Sequence, residues 1–113
     1  MQDYRRLRVW RKAHALALNV RRATHGFPRR GYAKLISQVT GAAESVPFNI
    51  VEGCGSHSQK DFARFLDNSI KSSSELEYQL LLSKGYGVLV SDRWKTLTEE
   101  TIDVRHMLCG LRA

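Results

Sequence analysis

The sequence predicts an all-α protein, a single-domain antiparallel up-down-up-down four-helix bundle, and three observations favour it. Apolar residues recur every three or four positions in four successive stretches, which places them on one face of a helix. The chain has 113 residues, of which 42% are hydrophobic, enough to form one buried core. It contains only two prolines, and short connections separate the four stretches, so that neighbouring helices should run antiparallel.

The first helix is expected at about residues 4–25 and should end at Phe27-Pro28, because proline disfavours helical geometry in the residue before it. Its predicted core positions are Val9, Ala13, Leu16, Val20 and Ala23. The second helix is expected at about residues 32–52. Its predicted core positions are Ile36, Val39, Ala43, Val46 and Ile50. Pro47 lies inside this pattern, and since the apolar spacing continues past it, we expect a bend rather than an end.

The third helix is expected at about residues 58–84, with Ser58 as its N-cap. Its predicted core positions are Phe62, Leu66, Ser69, Ser73, Leu76 and Leu80. The two core serines should each donate a hydrogen bond to a carbonyl one turn earlier in their own helix. The fourth helix is expected at about residues 92–111, capped by Ser91 or Asp92. Its predicted core positions are Trp94, Leu97, Thr101, Val104, Leu108 and Leu111.

Several classes of protein are disfavoured by the sequence. No apolar run approaches the ~18 residues of a membrane helix, and the N-terminus lacks the apolar core of a signal peptide, so we expect a cytoplasmic protein. Cys54 and Cys109 lie far apart, which favours two reduced thiols over a zinc or redox motif. Cys54 and His57 are close together but lack a third group that would orient a catalytic base. We therefore expect no catalytic residues at this turn.

A metal or cofactor is not expected either. Di-iron bundles carry paired E-x-x-H motifs that face the core, and the nearest match is the single pair Asp103 and His106. With Thr101, Val104 and Leu108 at core positions, both members of this pair should point to solvent. The absence of a G-x-x-x-x-G-K-[ST] motif also disfavours nucleotide binding by a P-loop.

Charge is the most informative functional feature of the sequence. Residues 1–34 contain ten Lys or Arg and one acid, a net charge of +9, whereas residues 35–113 have a net charge of −2. At ~100° per residue, Arg8, Arg11 and Arg22 share a stripe about 60° wide opposite the core. A second basic cluster follows the first helix and contains Arg29, Arg30 and Lys34. A basic face of this kind is typical of a surface that contacts a nucleic-acid backbone, and it also keeps a bundle soluble.

Some apolar residues are expected to point away from the core. They are Leu7 and Leu18 on the first helix and Tyr78 and Leu82 on the third. Single exposed apolar side chains are common, but four on two helices indicate an interface between subunits.

Five segments of the sequence resemble one protein family. They are Leu7-Arg8-Val9-Trp10-Arg11-Lys12-Ala13, Phe27-Pro28, Ser45-Val46-Pro47-Phe48-Asn49-Ile50-Val51-Glu52-Gly53, Phe62-Ala63-Arg64-Phe65-Leu66 and Ser73-Ser74-Glu75-Leu76-Glu77. The third segment resembles the signature "S-[IV]-P-x-N-I-x-E-G" of the bacterial four-helix-bundle proteins encoded within intervening sequences of 23S ribosomal RNA genes. We expect Asn49 and Glu52 of this signature to cap and brace the end of the second helix.

The resemblance implies a cytoplasmic bundle that assembles as a homo-oligomer, with the homopentamer as the expected form, and that binds RNA or DNA. The sequence departs from the family pattern at Thr40-Gly41 and Ser56-His57, where relatives usually carry basic residues. Together with the charge distribution, this predicts a non-enzymatic protein that binds nucleic acid, RNA in particular, through the first helix. The alternative is an interaction scaffold whose basic face docks an acidic protein partner.

Overall fold

The computed structural model describes residues 2–113, which form four long α-helices and one short 3₁₀ helix at Tyr4–Arg6. The helices are α1 (Arg8–Thr24), α2 (Ala33–Cys54), α3 (Gln59–Gly85) and α4 (Ser91–Arg112). Each helix packs against the next along the chain, and α1 also packs against α4, which closes the bundle. The predicted fold class is confirmed. None of the helices in this described part is both long and apolar enough to cross a bilayer.

The beginning of α1 differs from the prediction. The sequence pattern placed a continuous helix from about residue 4, but Leu7 is extended (φ −81°, ψ 122°) and separates the 3₁₀ helix from α1. Asp3 caps the 3₁₀ helix by accepting a hydrogen bond from the backbone N–H of Arg5. Because Leu7 precedes α1, the 100° spacing of the helix does not set its direction. Leu7 instead packs, half-buried, against the core.

The core contains most of the predicted positions. The buried apolar side chains of α1 and α2 include Val9, Ala13, Leu16, Val20, Leu35, Val39, Ala43, Val46 and Ile50, and those of α3 and α4 include Leu66, Leu76, Leu80, Leu97, Val104 and Leu108. The differences lie near the ends of the helices. Ala23, Ile36, Phe62 and Trp94 are only half-buried, and Leu111 is exposed. An α-helix drifts about 20° per heptad from a strict 3.5-residue repeat, so neighbouring positions such as Leu35 take over at the ends.

Small and polar residues let α2 and α3 approach closely. Ser45 and Ser72 form a hydrogen bond between their hydroxyls across the two helices (2.7 Å). Ser73 donates to the carbonyl of Ile70 in its own helix, as predicted, but the hydroxyl of Ser69 donates to the carbonyl of Val46 on α2 (2.7 Å). The expected bond of Ser69 within its own helix is therefore wrong, because the backbone carbonyl of Val46 on α2 is near enough to accept its hydrogen bond instead.

The helix boundaries match two of the sequence signals and differ from a third. α2 continues through Pro47 as predicted, although proline has no N–H to donate to the preceding turn. The side chain of Ser58 accepts a hydrogen bond from the backbone N–H of Asp61 (3.0 Å), which confirms Ser58 as the N-cap of α3. The predicted cap of α4 is wrong: Val90 occupies the N-cap position, and Ser91 is already helical.

Candidate nucleic-acid interface

The arginine stripe of α1, which we define as Arg8, Arg11 and Arg22, is exposed along its whole length. It spans about 21 Å of helix at ~1.5 Å per residue. Arg11 Nη1 donates to the backbone carbonyl of Arg5 (3.0 Å), and Arg22 Nη1 donates to Asn19 Oδ1 (2.8 Å). Within residues 2–113, no ion pair involves a guanidinium of the stripe. The three positive charges are therefore available to an anion in solution.

The basic turn, which we define as Arg29, Arg30 and Lys34, lies between α1 and α2 and is also exposed. Gly31 adopts a positive φ of 88° here, a conformation that favours glycine. Arg29 lines an open cleft of about 470 Å³ together with Arg21 and His25 from the end of α1. Lys34 lines a different cleft. The turn thus extends the positive surface past the end of α1, but its members face more than one direction.

The largest departure from the sequence-based prediction is a cleft between α1 and α4 of about 480 Å³, which we call the α1–α4 cleft. Its cationic wall belongs to α1, its acidic wall belongs to α4, and two small apolar side chains lie between them. The lining residues are Arg8, Arg11, Lys12, Ala15, Asn19, Glu100, Asp103 and Val104. The cationic side of the bundle thus has a carboxylate edge. The charge totals could not show this, because the rotation of α4 about its axis relative to α1 decides which residues face each other.

A hydrogen bond crosses one part of the α1–α4 cleft. Asn19 Nδ2 lies 3.2 and 3.4 Å from the two carboxylate oxygens of Glu100. The Oδ1 atom of the same amide accepts the hydrogen bond from Arg22. Asn19 therefore joins the arginine stripe to the acidic wall, whereas Asp103, one turn further along α4, is exposed.

Two of the four predicted interface residues are exposed as expected. The side chains of Leu18 and Tyr78 are 44% and 60% exposed. Leu7 and Leu82, in contrast, are half-buried and therefore less exposed than expected. Leu82 lines an open cleft together with residues that precede and begin α2, and the neighbouring Leu81 is 49% exposed.

A groove between α3 and α4 contains polar atoms without partners. Its volume is about 300 Å³, and its lining residues are Ser74, Glu77, Tyr78, Leu81, Trp94 and Thr98. Trp94 Nε1 and Thr98 Oγ1 are inaccessible to solvent and have no hydrogen-bond partner among the described residues. Lys84 Nζ lies 3.8 Å from the centre of the Trp94 indole, a cation–π contact. Sequence reasoning missed this groove, because a polar atom is recognised as unpaired only when its surroundings are known.

The candidate reactive groups are placed apart. Cys54 is buried, and desolvation raises the pKa of its thiol above the ordinary value, whereas Cys109 is exposed. His57 is exposed, as are Asp103 and His106. In the part of the chain that the structure describes, no three His, Cys, Asp or Glu side chains are grouped so that they could hold a metal ion.

The side chains of the signature segment of α2 have different surroundings. Asn49 Nδ2 donates to the backbone carbonyl of Ser45 (2.9 Å), one turn earlier in α2, and not to the end of the helix where its bracing role was expected. Glu52 is exposed, which does not fit the bracing role predicted for it. Phe48 is 63% exposed and was not identified as a surface residue from the sequence.

Comparisons with known proteins agree with this architecture. A crystal structure of a protein of unknown function from the S23 ribosomal protein family of Bacteroides thetaiotaomicron superposes with a TM-score of 0.81. The two chains are 18% identical, and the match covers 92% of this chain and 94% of the other. No curated protein matches the sequence. The 23S rRNA-intervening sequence protein family matches residues 5–110, nearly the whole bundle, and the chain therefore belongs to that family.

Proposed function

We propose that the protein binds nucleic acid, RNA in particular, through the exposed face of α1, and that it acts by binding rather than by catalysis. The observation that carries the proposal is the arginine stripe, three exposed guanidiniums along ~21 Å of helix with no carboxylate paired to them among residues 2–113. Arginine binds phosphate through a planar fork of donors, and each neutralised phosphate releases a counterion.

The test is a triple variant, Arg8→Gln, Arg11→Gln and Arg22→Gln, with structured RNA and duplex DNA as probes. Each phosphate contact contributes roughly 0.7–0.9 to the slope of log affinity against log salt, so the variant should lower the slope by about 2 and weaken binding to every sequence alike. The bundle should stay folded, because the stripe lies opposite the core. Gel-shift titrations at two or more salt concentrations measure both quantities.

A matched control removes the same charge elsewhere: Lys60→Gln, Lys71→Gln and Lys95→Gln change three exposed lysines on α3 and α4. If the two triple variants weaken binding equally, net charge rather than α1 is responsible. If the wild type shifts neither the structured RNA nor the duplex DNA at low salt, the nucleic-acid proposal is wrong. The docking of an acidic protein partner then becomes the better hypothesis.

We also infer that the chain self-associates, and the resemblance stated above points to a ring of five. The groove between α3 and α4 supports a contact there, because Tyr78 and Leu81 expose large apolar side chains along its edge. A second copy that packs against the groove would bury the exposed side chains of Tyr78 and Leu81.

Light scattering on the purified protein gives the number of copies. The double variant Tyr78→Ser and Leu81→Ser should lower the assembled mass, while Val90→Ser, which changes a residue that is 67% exposed but outside the groove, should leave it unchanged. A wild type that is monomeric at micromolar concentration contradicts self-association.

A further inference from the structure

The two walls of the α1–α4 cleft carry opposite charges that form no ion pair with each other among residues 2–113. Arg8 and Lys12 lie on one wall and Asp103 lies on the other. No ion pair joins the two walls anywhere in residues 2–113, and the carboxylate of Asp103 has no hydrogen-bond partner among these residues. The buried Val104 and the small side chain of Ala15 contribute apolar surface between the walls. The cleft therefore suits a ligand that carries negative charge at one end and hydrogen-bond donors at the other.

A nucleic-acid backbone alone does not match this arrangement. Phosphates that follow the arginine stripe into the cleft would meet the carboxylates of Glu100 and Asp103, and like charges repel. A base projecting from the backbone does match it, because its edge can present N–H donors to a carboxylate while its phosphates stay with the arginines. Proteins that recognise RNA sequence usually read bases of this kind, unpaired and turned out of the stack.

The carboxylates of Glu100 and Asp103 differ in how many further hydrogen bonds they can accept. Glu100 is half-buried, and both of its oxygens lie within hydrogen-bond distance of Asn19 Nδ2. Asp103 is exposed, and both of its oxygens are available. A single carboxylate can accept two parallel hydrogen bonds from adjacent donors.

Guanine is the base whose Watson–Crick edge carries two adjacent donors, the N1–H and the N2 amino group. The amino group of adenine or cytosine stands beside a ring nitrogen that accepts, and the N3–H of uracil stands between two carbonyl oxygens. A carboxylate would be repelled by these acceptor atoms, because it has no hydrogen to donate to them. On this chemistry, and resting on the nucleic-acid binding proposed above, we propose that the α1–α4 cleft holds an unpaired guanine, that Asp103 accepts from its N1–H and N2 amino group, and that Arg8 and Arg11 bind the flanking phosphates.

The test compares short single-stranded oligouridines that are identical except for one central nucleotide: uridine, guanosine, adenosine or inosine. Inosine keeps the N1–H of guanosine and lacks the N2 amino group. Fluorescence anisotropy of the labelled strands with the full chain measures the affinities. We expect the guanine strand to bind at least about fivefold more tightly than the all-uridine strand, the low end of what a good bidentate base contact gives, with inosine in between.

Asp103→Asn separates recognition from plain electrostatics. The variant should bind the all-uridine strand more tightly, because one negative charge is removed, and should lose the preference for guanine. If the carboxylate acts only through its charge, the affinity for every strand rises by the same factor and the preference persists. Glu99→Gln is the matched control: it removes one exposed carboxylate of α4 that does not line the cleft, and it should keep the preference.

The possible failures are distinguishable. Wild type that binds every strand equally overturns the guanine site and leaves nucleic-acid binding intact. A guanine preference that persists in Asp103→Asn also overturns the assignment. Wild type that binds none of the strands at low salt, and that fails to shift structured RNA, overturns both proposals together.

Discussion

The close approach of α2 and α3 can be tested with one substitution made at two glycines of the same helix. Gly53 is buried near the end of α2, and a Cβ atom added there would lie 3.0 Å from Phe65 Cβ and 3.1 Å from Phe62 Cδ1. Gly41 is exposed in the interior of α2, and an added Cβ would meet no atom within 4 Å. Gly41→Ala should therefore stabilise the protein by about 0.4–1 kcal/mol, because alanine is the better helix former.

Gly53→Ala should instead destabilise the protein. The contact with Phe65 Cβ is fixed to the backbone of α3, so the two helices must move apart, and overpacking of this kind costs about 1–3 kcal/mol. Both variants gain helix propensity, so the overpacking cost separates them, and their free energies of unfolding should differ by about 2 kcal/mol. At about 4 °C per kcal/mol for a domain of this size, their melting temperatures should differ by about 8 °C.

Circular dichroism at 222 nm, during thermal and urea unfolding at one protein concentration, measures both variants. Urea midpoints with unchanged m-values would show that the difference is one of stability. If Gly53→Ala is as stable as Gly41→Ala, the tight contact between α2 and α3 is refuted.

Two further predictions concern the core and the buried thiol. Leu76→Ala should lower the free energy of unfolding by about 2–5 kcal/mol, since Leu76 is fully buried, while Leu81→Ala should cost less than about 1 kcal/mol in the monomer; equal losses in urea unfolding would contradict the assigned faces of α3. Burial raises the pKa of Cys54, so above the pKa of an unfolded thiol, about 8.5, the folded state holds one more proton and stability should fall as pH rises. Cys54→Ala should show a shallower decline over the same pH window.

The helices were predictable because the apolar repeat that indicates each of them is long and lies within one segment of the sequence. Each apolar face repeats over several turns, so the burial of Leu16, Val39, Leu76 or Val104 follows from spacing alone. The direction of Leu7 was not predictable in the same way, because one extended residue interrupts the period.

The surface required information from outside each helix. The exposure of the arginine stripe followed from its position opposite the core of α1, and the structure agrees. That Glu100 and Asp103 face the same stripe depends on how α4 is rotated against α1, which many distant contacts determine together. The bond from Ser69 to the carbonyl of Val46 has the same origin, since its acceptor lies on another helix.

The contrasting positions of the two cysteines provide a kinetic probe of the bundle. Cys109 is exposed near the end of α4 and should be the first thiol to react with a maleimide, which makes it a site for a single fluorophore. Cys54 lies at the end of α2, and its backbone carbonyl accepts a hydrogen bond from the N–H of Gln2 (2.9 Å). Because the side chain of Cys54 is only 2% exposed, we expect it to react more slowly than Cys109, at a rate set by how often this end of α2 opens. The ratio of the two labelling rates therefore reports how often the end of α2 opens in the native protein, without any substitution.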